Sequence, residues 1–240
     1  METSPSFFMG GAVKPTLLRF GESQSPVVVI DDFSGVVDDI GALAEQLAPF
    51  PLIEGNYYPG VRRAITRADL DADAYVERTC RDAAQFLGGA FGVEGFDLLE
   101  ASFSMVSLQP HELRPVQRSP HFDSTDPSYF ALLHYLRVPP GTGTAFYRQR
   151  ATGIERLTAR NLPLFVRTAE AVEPLLPKGS GYIQESNEHY EQIGAVEAVP
   201  DRMVIYHGSL LHSGIIPPDM PLSANPREGR LTANIFVRGR

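Results

Sequence analysis

A single cysteine, Cys80, stands among 240 residues, which excludes an internal disulfide and a zinc or iron–sulfur centre built from thiolates. Positive charge is also scarce. Lys and Arg number 21 against 29 Asp and Glu, for a net charge of -8, so the field of the whole molecule repels phosphate backbones and anionic lipid. No apolar run approaches the ~18 residues that span a bilayer, and Glu2 stands where a secretory signal needs positive charge. Nucleic acid and membrane are therefore not expected as partners, and a cytoplasmic location is expected. Gly (21) and Pro (20) together stay below the share of roughly a quarter at which disorder becomes the default. With 43% hydrophobic residues, the chain has the material for one large domain, 1–240. There is no internal repeat and no linker, and the sequence does not set the oligomeric state.

What is present falls into three stretches. Residues 1–26 mix Ser, Pro and Gly with a few apolar side chains and read as an arm laid over the domain. Residues 27–94 read as a strand and supporting helices. Val27 to Ile30 is a β-branched run closed by the turn Asp31-Asp32-Phe33-Ser34-Gly35. Val37, Ile40, Leu43, Ala44 and Leu47 recur at helical steps, and a second helix is predicted from Ala72 to Gly88, with Cys80 on its core side. Residues 95–240 turn to short strands: Leu98–Leu108, Tyr129–Val138, Thr142–Arg148, Met203–Tyr206, Leu210–Ile216 and Leu231–Val237, with one helix near Leu162–Val172. Helices first and short strands later suggest a mainly β sandwich or barrel with flanking helices. The segment Glu185 to Glu191 reads as an exposed lid or turn.

His121-Phe122-Asp123 places an imidazole and a carboxylate two residues apart, which in an extended strand sends both to one face. Alone, such a triplet is commonly a surface ion pair. His212, set in the otherwise apolar Leu210-Leu211-His212, is a candidate third ligand. Two histidines and one carboxylate on adjacent strands form the facial arrangement that holds Fe(II) and leaves positions open. The last strand adds a second clue, because Leu231, Ala233, Ile235 and Val237 make one face apolar while Arg230, Thr232, Asn234 and Phe236 make the other mostly polar. If that face lines a cavity, Arg230 is a planar donor fork suited to a carboxylate.

At these residues the sequence resembles the iron(II)/2-oxoglutarate-dependent dioxygenases, in their prolyl 4-hydroxylase-like branch. The resemblance is carried by four ordered segments: Val27 to Ser34, Tyr129 to Arg137 with Gly141 to Phe146, Ser209 to Gly214, and Gly229 to Thr232. It implies a double-stranded β-helix (jelly-roll) core. It implies His121, Asp123 and His212 as iron ligands, Arg230 as the partner of the distal carboxylate of 2-oxoglutarate, and dioxygen as the third reactant. Tyr135 matches the tyrosine whose hydroxyl reaches the same carboxylate, and Leu133 and Thr232 are implied to line that pocket. Asp123 argues for hydroxylation over halogenation, since halogenating relatives vacate the carboxylate position. One departure is that Phe103 to Leu108 lacks the tyrosine many relatives carry before the H-x-D. The proline-bearing interval between His212 and Arg230 implies an inserted loop at the cavity mouth.

The expected activity is hydroxylation of an unactivated carbon in a small, amino-acid-like metabolite, held through Arg148 as the first substrate contact to test. Two alternatives stand beside it: a non-catalytic β-sandwich that binds a small ligand, and a hydroxylase acting on a peptide or protein. His207 is a weaker rival for the third ligand position. His134, of opposite parity to Tyr135, is expected on the outer side of the barrel.

Overall fold

The computed structural model describes residues 14–52, 58–176 and 179–240. Ten strands and three α-helices are formed among them. In chain order they are β1 (Pro15–Phe20), β2 (Ser25–Ile30), α1 (Val37–Gln46), β3 (Gly60–Ala64), α2 (Leu70–Phe91), β4 (Phe96–Val106), β5 (Tyr129–Arg137), β6 (Gly143–Gln149), α3 (Leu162–Val172), β7 (Tyr190–Glu197), β8 (Met203–His207), β9 (His212–Ile215) and β10 (Leu231–Gly239). Seven strands form a large antiparallel sheet in the order β1-β2-β8-β5-β10-β4-β3, and three form a smaller sheet, β7-β6-β9. The two sheets face each other as a jelly roll.

Strand alternation assigns the two faces of the large sheet to different tasks. On one face Leu132 pairs with both Ile235 and Ile205, and Phe103 pairs with Ala233. These apolar residues meet Ile40 and Ala44 of α1 and Ala72, Tyr75, Val76, Ala83 and Leu87 of α2 in one continuous core. Burying a side chain of that size contributes about 1.5–3 kcal/mol, so this face anchors both helices to the sheet. The opposite face carries three rows that run across the strands: Arg62–Ser104–Thr232–Tyr135, Ser102–Asn234–Leu133–Val204 and Glu100–Phe236–Ala131–Tyr206. The first row is polar throughout, the other two join polar to apolar residues, and all three look toward the small sheet.

The two helices follow from their sequence. α1 opens with Asp38 and Asp39, acids that complement the positive end of the helix dipole. α2 runs to Phe91, three residues beyond the expected end, and stops on Gly92 in the left-handed conformation with φ 69°. Cys80 sits half-buried against the core, as its helical position predicts.

Three expectations are corrected. Residues 15–26 are not an arm: β1 and the start of β2 form a hairpin that adds two strands to the large sheet. Its turn is fixed by Glu155, which accepts hydrogen bonds from the backbone N–H groups of Glu22 (2.9 Å) and Ser23 (3.0 Å). The segment Glu185–Glu191 is an exposed turn at Glu185, Ser186 and Glu188, as expected, but its end is strand. Tyr190 is buried and opens β7, and Glu191 pairs with Arg148 of β6. Finally, β3 has no counterpart among the predicted strands. It packs so closely on β4 that a Cβ on Gly60 would collide with the Met105 carbonyl.

Candidate functional site

His121 and His212 are held face to face by a two-bond backbone bridge, each N–H donating to the other residue's carbonyl at 2.8 Å. Their rings lie 4.3 Å apart between centroids. Asp123 is drawn to the same place by its own N–H, which donates to the Gly208 carbonyl at 2.7 Å. Gly208 has to lack a side chain there, because a Cβ would lie 2.6 Å from the Tyr129 ring and 3.2 Å from Asp123 Cβ. One donor atom from each of His121, Asp123 and His212 lies within 4.8 Å of the other two.

The protonation pattern suits a cation. His212 Nδ1 is 2.8 Å from the Leu210 carbonyl, so that nitrogen carries the proton and Nε2 presents its lone pair to the cavity. Burial holds the His121 imidazole well below its usual range, helped by His212 and the Arg62 guanidinium, so it is neutral. Asp123 is pushed up by burial, a shift opposed by His212 and Arg62. Its Oδ2 is buried without a hydrogen-bond donor and lies 3.7 Å from His212 Nε2. An orphaned buried carboxylate oxygen is costly, and a divalent ion bound by it and the two imidazole nitrogens satisfies all three groups. The donor set fits iron(II).

Across a cavity of about 300 Å³ from these donors lies Arg230. It is 4% exposed, its Nη2 donates to the Gly143 carbonyl at 3.3 Å, and its buried Nε has no hydrogen-bond partner. Among the described residues no carboxylate pairs with it. A buried guanidinium without an acid is unfavourable unless an anion completes it, which makes this end of the cavity an anion pocket. Thr232, Leu133 and Thr144 line it beside Arg230.

Tyr135 belongs to this group at one remove. Its ring lies under the Arg230 guanidinium, 5.5 Å from ring centroid to Cζ, and its hydroxyl is 2.7 Å from Thr144 Oγ1. The tyrosine absent from β4 has a counterpart in Tyr58, just before β3, which lines the cavity and faces Thr232 and Arg230. Burial raises the phenol pKa of Tyr58, Tyr135 and Tyr206, so all three are neutral groups able to donate.

Other residues are placed elsewhere. Arg148 shares its strand face with Thr144 and Phe146, but Phe146, tilted against Phe20 at 5.4 Å, stands along the strand between Arg148 and the cavity-lining Thr144. Its guanidinium is taken by Glu155 at 2.8 Å and Glu22 at 2.7 Å, so Arg148 ties β6 to the β1–β2 turn and does not contact the site. His207 packs against Phe91 and Phe130, with Nδ1 3.1 Å from the Pro127 carbonyl, outside the cavity. His134 is buried beneath α2 between the Tyr75 hydroxyl and Asp201, each at 2.9 Å. Sequence reasoning missed Arg62, Glu100 and Tyr58, which line the cavity together with Tyr206. The alternation of Val61 and Arg62 was their only signal, too short for a periodicity argument. Of the proline-bearing interval, Ile216 reaches the cavity, and the rim is completed by Val116, Gln117 and Tyr182.

Fold and donor set together define a class. The jelly roll is shared with solved non-heme alpha ketoglutarate dependent enzymes: the carbocyclase SnoK from nogalamycin biosynthesis (TM-score 0.54, 14% identity, 90% of this chain and 81% of that one) and the epimerase SnoN from the same biosynthesis (0.52, 14%, 90% and 79%). It is also shared with HygX from Streptomyces hygroscopicus with iron bound (0.50, 14%, 90% and 83%). By sequence, residues 12–237 match the family of unknown function DUF6445, and the chain belongs to that family. No curated protein matches the chain in sequence. No helix among the described residues is long and apolar enough to cross a membrane.

Proposed function

We propose that the protein is an iron(II)- and 2-oxoglutarate-dependent oxygenase that hydroxylates a carbon of a small metabolite. The observation that carries this reading is the pairing, in one cavity, of an orphaned Asp123 carboxylate beside two histidines with a buried Arg230 that has no acid partner among the described residues. His121, Asp123 and His212 would hold the metal, and Arg230 would take the distal carboxylate of 2-oxoglutarate. HygX, of the same fold, has been solved with nickel and 2-oxoglutarate bound.

When bound, iron(II) supplies the oxygen redox chemistry that side chains cannot perform. The chain's own contribution is placement and exclusion of water. Arg230 and Thr232 fix one end of the cosubstrate, and His212, oriented by the Leu210 carbonyl, keeps its lone pair on the metal side. The apolar walls Leu133, Phe236 and Ile216 keep the cavity dry. The overall reaction consumes dioxygen, 2-oxoglutarate and a substrate C–H, and yields succinate, carbon dioxide and the corresponding alcohol. At about 300 Å³ the cavity lies at the low end for ligand sites, which favours a small molecule over a peptide or protein chain.

Purified protein given Fe(II), 2-oxoglutarate and oxygen should form succinate in amounts that depend on all three, followed by mass spectrometry. Asp123→Ala should abolish this without lowering expression or changing the circular dichroism. Succinate formation that persists at the wild-type rate in Asp123→Ala would overturn the proposal.

A further inference from the structure

The cavity holds a second guanidinium that the proposed chemistry leaves unused. Arg62, in the middle of β3, stands in the same cross-strand row as Ser104 and Thr232, on the face that looks into the cavity. Arg62 lines the same cavity as His121 and Asp123. Nη2 donates to Ser102 Oγ at 3.0 Å, the Tyr58 ring lies 5.7 Å from Cζ, and Nε is buried without a hydrogen-bond partner. Among the described residues its acid partner is Glu100, at 3.5 Å, whose side chain is 57% exposed. A long ion pair with a solvated carboxylate is weak, and a better-placed carboxylate displaces it.

Arg230 and Arg62 differ in depth as two ligands would require. Arg230 is 4% exposed, whereas the Arg62 side chain is 18% exposed, nearer the opening. The deeper cation suits the cosubstrate, which enters first, and the shallower one suits what enters over it. Between Arg62 and the metal donors the wall is apolar, with Phe122, Tyr129 and Phe236 available to a short carbon chain. Glu100, released from Arg62, offers a carboxylate beside the same opening.

Resting on the oxygenase reading, we infer that Arg62 binds the substrate's carboxylate and Glu100 its ammonium group, so that the substrate is a free α-amino acid. Arg62 is a fork that takes a carboxylate through two N–H groups, and its Nε is one donor still to be satisfied. A zwitterion engages both members of the Arg62–Glu100 pair at once, so neither charge is left alone when the substrate is bound.

The test uses full-length protein loaded with Zn(II) and 2-oxoglutarate, which cannot turn over, titrated calorimetrically with the twenty common L-amino acids and their carboxamides. At least one free acid should bind, its carboxamide should bind at least tenfold more weakly, and Arg62→Ala should weaken the acid by about a hundredfold. Arg62→Lys should recover part of the loss, and Glu100→Gln should weaken the free amino acid more than its N-acetyl form. In all three variants the affinity for 2-oxoglutarate and the melting temperature should stay near wild type, which separates substrate contact from folding. The inference is overturned if the carboxamide binds as well as the acid, if Arg62→Ala leaves the acid's affinity unchanged, or if no amino acid binds protein that does bind Zn(II) and 2-oxoglutarate. Protein that binds neither Zn(II) nor 2-oxoglutarate overturns the oxygenase reading instead. The same acid should stimulate succinate formation by the Fe(II) form.

Discussion

Arg230 shows how one side chain can be unfavourable to the empty fold and necessary to the loaded one. Its guanidinium is buried with a single 3.3 Å bond to a carbonyl, a state that an incoming carboxylate relieves. Arg230→Leu should therefore raise the apparent KM for 2-oxoglutarate by an amount equivalent to about 2–5 kcal/mol, with partial recovery in Arg230→Lys, as read from steady-state succinate formation. Tyr135→Phe should cost less, about 0.5–1.5 kcal/mol, because its hydroxyl acts through Thr144. The two arginines that bracket the substrate question show the limit of reading single residues. Arg148 has the right parity on β6, but strand parity says nothing of distance along the strand, and Phe146 stands between it and the cavity. Arg62 is on a strand too short to announce itself.

At the level of the element, the turn joining β8 to β9 does two tasks. Its Gly208 carbonyl holds Asp123, and its His207 closes the gap beneath the end of α2, where burial lowers the imidazole pKa to about 4. Since the folded pKa lies below the unfolded value of 6.5, His207 is neutral in the native state, and its contribution to stability is complete above pH 6.5. It is lost progressively as pH falls from 6.5 toward 4, by about 2 kcal/mol after allowance for the water the ring still meets. Melting curves from pH 7.5 to 4 should fall less steeply for His207→Asn than for the wild type, with succinate formation at neutral pH largely retained.

Elements also mark where the sequence was legible. β10 was readable because the seven residues Leu231 to Val237 alternate between a helix-covered core and a cavity, and H-x-D with His212 was readable because metal chemistry demands those side chains. β1 was hidden by the Ser, Pro and Gly around it, and its placement comes from its pairing with β2 and from the distant Glu155 that holds the turn between them. β3 has five residues, and its pairing with β4 rather than any local pattern makes it a strand.

For the molecule as a whole, the three metal donors join the segment after β4 to the start of β9, so occupancy should stabilise the entire fold. At a metal concentration a hundred times Kd the gain is about 2.7 kcal/mol, or a rise in melting temperature of roughly 5–10 °C for a domain of this size. Mn(II) should produce that rise by differential scanning calorimetry in the wild type, and none in the His121→Ala, His212→Ala double variant. An equal rise in that variant would place the ion elsewhere.

The position of β10 also constrains how the chain is made. The last of ten strands in chain order lies at the middle of the large sheet, between β4 and β5. On the ribosome β4 and β5 therefore emerge with a strand-wide slot between them, and the residue that would fill it follows on the order of a hundred residues later, a wait of about ten seconds. Throughout that interval two apolar strand edges stand open to any passing chain. Neither the cavity nor its anion pocket exists until Arg230 and the strand behind it have been synthesised, so the walls of the site are complete only once β10 has slid between its two neighbours.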